Sequence, residues 1–366
     1  MNGNMADMEE KMAFLEQKVS GLEMQNASLK RECDTLMQMV RDIYEINKQI
    51  MLQVSQMEIK MTTISMTHDI LKMHCGNVAF ESLDGLVNQK TYYFPIIRSR
   101  EETVEEIINH KKSMARFGDG EFSQIIKVER QAFQRMDDKL GLRLEEVLHS
   151  NHPDMLIAIA NNYGNLDIYT DFAASGIREY MYNKNMRKQH MELLERDRVY
   201  YDAYVSRPYV MYRDNMTDAP KQRFRKLQEI WEGRNVIVVE GAQTRMGVGN
   251  DLLDRAKAIK RILAPVTSSF DRYDDILKAS LKHGTDDTLF LIAMGPSAGV
   301  LAYDLTVEGY QAIDIGHLDL EYEWFLAGKG ERVPIPNKYN NEVPGDDYAE
   351  EWHDPIYEKQ IVENLS

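Results

Sequence analysis

The sequence predicts an α/β fold, a mostly parallel sheet with helices on both faces, set behind a long N-terminal coiled-coil helix. Three observations point there: an unbroken heptad pattern over residues 8–75, short apolar runs alternating with helical stretches beyond Tyr92, and Gly-containing turns directly after several of those runs. The 366 residues, with ordinary fractions of charged and apolar side chains, suffice for a sizeable core. A formal net charge of −15 excludes a general nucleic-acid binder, which needs a surplus of Lys and Arg on some face. An anionic ligand must then be met locally, by a helix N-terminus, a few Arg side chains or a bound cation.

The heptad seam runs from Met8 and Met12 through Leu15, Val19, Leu22, Leu29, Leu36, Val40, Ile43, Ile50, Val54, Ile64 and Leu71 to Cys75. Leu or Ile fills most d positions. Asn26 and Asn47 occupy a positions, where a buried amide costs stability and pairs with its symmetry mate, so two parallel strands are favoured. Ile43, Ile50 and Ile64 at d leave a trimer or tetramer open, and the competing picture is one long helix packed on its own domain. Cys33 and Cys75 lie on the seam as small apolar fillers, and two cysteines make neither a disulfide framework nor a zinc cage within one chain. A reducing cytoplasm is the expected location, since Asp7, Glu9 and Glu10 replace the basic start of a secretion signal and no apolar run is long enough to span a bilayer. Gly76 and Asn77 are expected to stop the helix, with a joint near Asp84 and Gly85. The resulting division is a coiled-coil oligomerisation helix over 1–76, a linker over 77–94, a catalytic domain over 95–342 and an acidic C-terminal extension over 343–366.

Within the catalytic domain the pattern predicts helices near 101–112 and 138–150 and strands at Met114–Phe117 and Met155–Ala160. Further on it predicts strands at Val236–Val239, Arg261–Leu263, Leu289–Ala293 and Ala312–Ile315, with helices starting near Asp251, Tyr273 and Ala298. In such parallel sheets ligands sit outside the carboxyl ends of the strands.

Four strand ends carry the candidate chemistry. After the first comes Arg116-Phe117-Gly118-Asp119-Gly120-Glu121, where glycines around Asp119 let two carboxylates turn toward one point in a tight loop suited to Mg²⁺ or Mn²⁺, or simply make a turn. After Val239 comes the Gly-rich stretch Glu240 to Asp251 with Arg245, Gly247 and Gly249, in outline a phosphate cradle leading into a helix, though it matches neither the dinucleotide fingerprint nor the Walker loop. After Ala293 comes Gly295-Pro296-Ser297, with the Ser297 hydroxyl placed to cap a helix. The last runs from Asp314 through His317, Asp319, Glu321 and Glu323. Extended, it turns these four side chains to one side; helical, it separates them so that only some share a site.

These four segments, spread over roughly residues 95–342, resemble the GT-D class of glycosyltransferases found in bacterial protein O-glycosylation and surface-glycan clusters. The resemblance also takes in Leu301-Ala302-Tyr303-Asp304-Leu305 and Gly309 to Gly316. It implies a Rossmann-like domain whose Asp-x-Glu motif, here Asp119 and Glu121, binds a divalent ion, usually Mn²⁺, and the diphosphate of a UDP-sugar, often UDP-glucose. It further implies that Arg116 and Arg245 contact phosphate, that Gly118, Gly247, Gly295 and Ser297 complete the donor site, and that His317 and Glu323 belong to the active centre, either as general base. The family's loop commonly has Phe where Met246 stands. The acceptor implied is a glycan or glycoprotein; the N-terminal helix lies outside the family domain, and homo-oligomerisation is read from its seam alone.

Between Tyr163 and Arg213, Tyr163, Asn165, Tyr200, Tyr201, Tyr204 and Tyr209 either face an acceptor sugar or pack the domain. Two rivals compete with the transferase: a non-catalytic coiled-coil scaffold with a retained sugar-nucleotide-binding domain, and an NAD(P) oxidoreductase, which the missing fingerprint disfavours.

Overall fold

The computed structural model describes residues 3–81, 93–128, 133–343, 349 and 352–366. They divide into two compact units at His74 and Cys75. The first is a single helix, α1 (Gly3–Glu81), of 79 residues. Its seam side chains, among them Leu22, Leu36, Ile50 and Ile64, are exposed. The helix passes through Gly76 and Asn77 rather than stopping there, because one Gly costs an established helix only about 1 kcal/mol relative to Ala. The joint expected at Asp84 and Gly85 lies outside the described residues.

The second unit is built on a nine-stranded sheet among the described residues, in the order β1-β4-β3-β2-β8-β7-β5-β6-β9. Its strands are β1 (Ile96–Ile97), β2 (Ser113–Phe117), β3 (Met155–Ile159), β4 (Val199–Asp202), β5 (Asn235–Gly241), β6 (Ala258–Ala264), β7 (Thr288–Ala293), β8 (Gln311–Asp314) and β9 (Ile361–Asn364). Every pairing between them is parallel. The central strands are apolar on both faces, Val236 and Val238 entering one core and Ile237 and Val239 the other, as a sheet covered on both sides requires.

Which face each connection takes decides where the topological switch point lies. After β2 the chain passes through α3 (Asp119–Ile125) and α4 (Asp138–Leu148) on one face, where Phe122, Leu140 and Leu144 join the first core. The same face holds α5 (Asp171–Tyr182), α6 (Lys184–Leu193), α8 (Tyr273–His283) and α9 (Ser297–Val307). The opposite face holds α2 (Arg100–Asn109), α7 (Ala219–Gln228) and α10 (Leu318–Ala327), the last following β8 and burying Leu318, Leu320 and Trp324. Neighbours β2 and β8 therefore send their chains to opposite faces, which makes their carboxyl ends the topological switch point.

Two expectations are corrected. The helix from Asp251 is absent: Asp251–Lys257 is a run of turns, and β5 reaches β6 without a helix. Leu252 and Leu253 are buried in the core there, and Gln228 and Trp231 donate to the Leu252 carbonyl, so backbone groups that a helix would use are held by side chains. The Asp119–Glu121 stretch is the first turn of α3 rather than a tight loop. The C-terminal segment, through α11 (Pro355–Gln360) and β9, adds the edge strand beside β6.

A buried ion pair ties these parts together. Arg261 in β6 meets Glu240 in β5 at 2.6 Å and also donates to the Met246 carbonyl and to Gln360, while Glu240 accepts the Met246 N–H. Arg261→Ala leaves a carboxylate stranded in the core, so urea denaturation is expected to show a loss of about 3–5 kcal/mol; a loss below about 1 kcal/mol contradicts this role.

Candidate functional site

The carboxyl ends of β2 and β8 are joined by Arg116. Its guanidinium crosses from β2 to donate to the Asp314 backbone carbonyl at 3.0 Å and to its carboxylate at 2.7 Å. The next residue but one, Gly316, has φ +50°, and a Cβ there would lie 2.0 Å from an Arg116 nitrogen, so the crossing needs glycine. Glu121 sits beside this pair. It folds back so that Oε2 accepts the Gly118 N–H at 2.8 Å, and burial followed by the charge of Asp314 pushes it up to about 7. Asp119, two residues earlier in the same first turn, is exposed, and its charge is felt at Tyr204. Gly120 lies against Pro296, which brings the end of β7 to the same place.

The helical alternative for residues 317–323 is the one adopted, and it splits the acids. Asp319 and Glu323, one turn apart on α10, both accept from the buried Lys338 ammonium, at 2.6 and 2.7 Å. Asn250 donates to the same two carboxylates, and the Gly247 N–H donates to Asp319 at 2.8 Å. Against burial, the two carboxylates raise the Lys338 pKa and keep it charged. Glu321 points the other way. It is fully buried, its Oε2 accepts the N–H groups of Tyr209 and Val210, and burial pushes it up to about 7 although Arg207 opposes this.

His317 is pushed down to about 4 by burial and by the Arg207 charge. Its neutral ring accepts from Arg207 at Nδ1, 3.2 Å, which leaves Nε2 to donate to the Asn341 side-chain oxygen at 3.1 Å. With its lone pair directed at a guanidinium, this ring is poorly placed to take a proton. Glu323 is half-buried at the rim.

The other expected site residues take these places. Arg245 adopts a left-handed backbone, φ +49°, and donates to the Asn337 carbonyl. Gly118 and Gly247 have their amides on Glu121 and Asp319. Gly295 has φ +69° and abuts the Phe133 ring. Ser297 is fully buried and does not cap its helix: its hydroxyl meets Ser269 at 2.6 Å and the Met294 carbonyl at 3.1 Å, so only its backbone is left to face a ligand. Tyr163, Tyr200 and Tyr209 pack the interior, with Tyr163 against the buried His190, while the Tyr204 hydroxyl holds Asn162 near Asp119. Sequence reasoning missed Arg207, Asn250, Arg332, Lys338 and Glu342. They come from loops whose approach depends on the tertiary fold.

Among the described residues no group of three or more His, Cys, Asp or Glu side chains is placed to cage a metal ion. Mg²⁺ and Mn²⁺ in phosphate chemistry are held instead by one or two carboxylates with phosphate oxygens and water. Exposed Asp119 fits that donor set, and Glu121, shielded from water beside Asp314, is a carboxylate that a nearby cation would favour in its charged form.

Glu321 gives a pH test. An acid whose folded pKa is raised from 4.5 to about 7 contributes stability below about pH 4.5 that is lost as pH rises through 7. The protein is expected to lose on the order of 1–3 kcal/mol from this group between pH 5 and 8, and Glu321→Gln to flatten that slope. Equal slopes for both proteins in denaturant titrations contradict the assignment.

Comparison with known proteins places this geometry among relatives. Residues 114–343 match the family model described as glycosyltransferase GT-D fold. The chain is 34% identical over 273 residues to a probable glycosyl transferase of Streptococcus gordonii, covering 74% of this chain and 39% of that protein. It is 33% identical over 270 residues to the glycosyltransferase GlyD of Streptococcus pneumoniae, covering 74% and 32%. The chain thus spans well under half the length of these relatives. Among solved structures, a conserved domain described as having a distinct glycosyltransferase fold aligns with a TM-score of 0.69 and 32% identity, covering 75% of this chain and 96% of that one. A glycosyltransferase from Streptococcus sanguinis aligns with a TM-score of 0.69 and 31% identity, covering 74% and 100%.

Proposed function

This chain belongs to the GT-D family of glycosyltransferases, and we propose from that premise that it moves a sugar, glucose or a similar hexose, from a UDP-sugar to a glycan or glycoprotein acceptor with the help of Mn²⁺ or Mg²⁺. The observation that carries the proposal is the convergence of Arg116, Asp119, Glu121, Asp314 and His317 at the switch point of a parallel sheet, where such folds bind nucleotides. Asp119, with Glu121 as a second carboxylate, would hold the cation, which would supply positive charge to the departing diphosphate.

The chain's own residues do the rest. Arg116 fixes Asp314 and with it the two strand ends that flank the donor. Lys338 and Asn250 hold Glu323 and Asp319 in one orientation, and Glu323, half-buried at the rim, is the group assigned to take the acceptor hydroxyl proton. His317 orients rather than accepts, since Arg207 occupies its lone pair. The exposed seam of α1 is assigned to homo-oligomerisation, with a dimer favoured by the Asn26 and Asn47 positions. No helix among the described residues is long and apolar enough to cross a membrane; a cytoplasmic site of action is part of the proposal.

Two experiments test this reading. With UDP-glucose and Mn²⁺, Asp119→Asn is expected to lower turnover at least about 100-fold with an unchanged melting temperature, because an exposed side chain contributes little to the core; wild-type turnover in the variant sinks the metal assignment, and a wild-type protein that binds donor without ever turning it over supports a scaffold instead. Removing residues 1–75 is expected to convert the oligomer to a monomer that still hydrolyses donor, and light scattering that shows an unchanged oligomer contradicts the role of the seam.

A further inference from the structure

The segment that follows α10 returns across the carboxyl ends of the strands. Asn337 gives its carbonyl to Arg245, the Tyr339 N–H donates to the Gln243 carbonyl, and Asn341 takes His317. Lys338 lies between Asp319 and Glu323. This strap therefore satisfies Arg245, His317 and Glu323, three groups that the family resemblance implies for the donor site and active centre.

Its last described contacts are the most informative. The Glu342 carboxylate lies between two guanidinium groups, Arg207 at 2.6 Å on Oε1 and Arg332 at 2.8 Å on Oε2, with His317 at 3.7 Å. Against burial, which pushes it up, Arg207, then His317 and Arg332, hold this carboxyl well below the usual range. Arg207 keeps a second nitrogen buried without a hydrogen-bond partner, 4.0 Å from an equally unpartnered oxygen of Glu321. Two arginines gripping opposite oxygens of one anion form a clamp that a phosphate group meets as well as a carboxylate does. It stands in a chain of strong net negative charge, close to Asp119 through Tyr204, whose hydroxyl feels both Arg207 and Asp119.

We propose that Arg207 and Arg332 form an anion subsite for the diphosphate of a nucleotide donor, and that Glu342 fills it as a tethered competitor that a donor must displace. The proposal rests on the donor reading above and adds to it two binding residues and an internal brake. A tethered carboxylate competes at the high effective concentration of an intramolecular partner, so the apparent affinity for a free anion falls by the fraction of molecules in which the clamp is open. Displacement also frees the strap's hold on Arg245 and His317, which couples donor entry to release of the site.

The experiment is calorimetric titration of the full chain with inorganic pyrophosphate, UDP and uridine. Glu342→Gln is expected to bind pyrophosphate and UDP about tenfold more tightly or better, uridine unchanged, and adding Arg332→Gln is expected to cancel the gain. Pyrophosphate affinity that is absent, unchanged or weaker in Glu342→Gln overturns the clamp, as does a gain that survives loss of Arg332. The donor reading fails separately, when UDP binds no better than pyrophosphate to either protein. Should Glu342→Gln not fold, hydrogen exchange on the unaltered protein decides: pyrophosphate is expected to speed exchange of the amides of residues 337–342, and slowed or unchanged exchange there overturns the proposal.

Discussion

A single arginine crossing between two strand ends holds the site together. Arg116 leaves β2 and takes both the carbonyl and the carboxylate of Asp314 at the end of β8, across a place in the sheet centre where neighbouring strands send their connections to opposite faces. Without that crossing, two like-charged carboxylates, Asp314 and Glu121, would face each other in a region shielded from water. Gly316 has no side chain because the guanidinium occupies the space. Glu121, which takes the Gly118 amide, feels both members of this link, and the His317 ring feels the Arg116 charge.

A second layer of charge fixes the loops that the sheet itself does not position. Lys338 and Asn250 bridge the acids of α10 to the Gly247 loop, and Arg261 with Glu240 anchors that loop from below. These are buried or half-buried polar networks, strong because their members are mutually satisfied and costly if one is lost. They explain how a connection without a helix, between β5 and β6, keeps a defined shape. Glu342 belongs to this layer as well, its carboxylate held between Arg207 and Arg332.

The sheet was legible because buried parallel strands are continuous apolar runs: Met155–Ile159, Val236–Val239 and Leu289–Ala293 can be read without ambiguity. The short edge strands Ile96–Ile97 and Ile361–Asn364 carry too few residues to stand out. The expected helix at Asp251 failed because Leu252 and Leu253 supply an apolar pattern that serves a buried turn equally well. At the site, Asp119, Glu121 and His317 could be singled out because they come just after an apolar run, and Arg116 because it closes one. Arg207, Arg332, Lys338 and Glu342 could not, since their meeting depends on loops returning over the sheet, and no spacing in the sequence encodes that. Helix or strand at residues 317–323 was undecidable from alternation alone; α10 buries polar Asp319 and Glu321 along with Leu318, Leu320 and Trp324, and Glu321 turns inward to accept the N–H groups of Tyr209 and Val210.

In the proposed reaction the ends of β2 and β8 hold the cation and the diphosphate of the donor. Anomalous diffraction at the manganese edge from crystals grown with Mn²⁺ and UDP tests it most directly. A peak is expected within coordination distance of the Asp119 carboxylate, about 2.0–2.6 Å, with the diphosphate at the same strand ends. A peak bound elsewhere on the chain, with UDP away from Arg116 and Asp314, would contradict it.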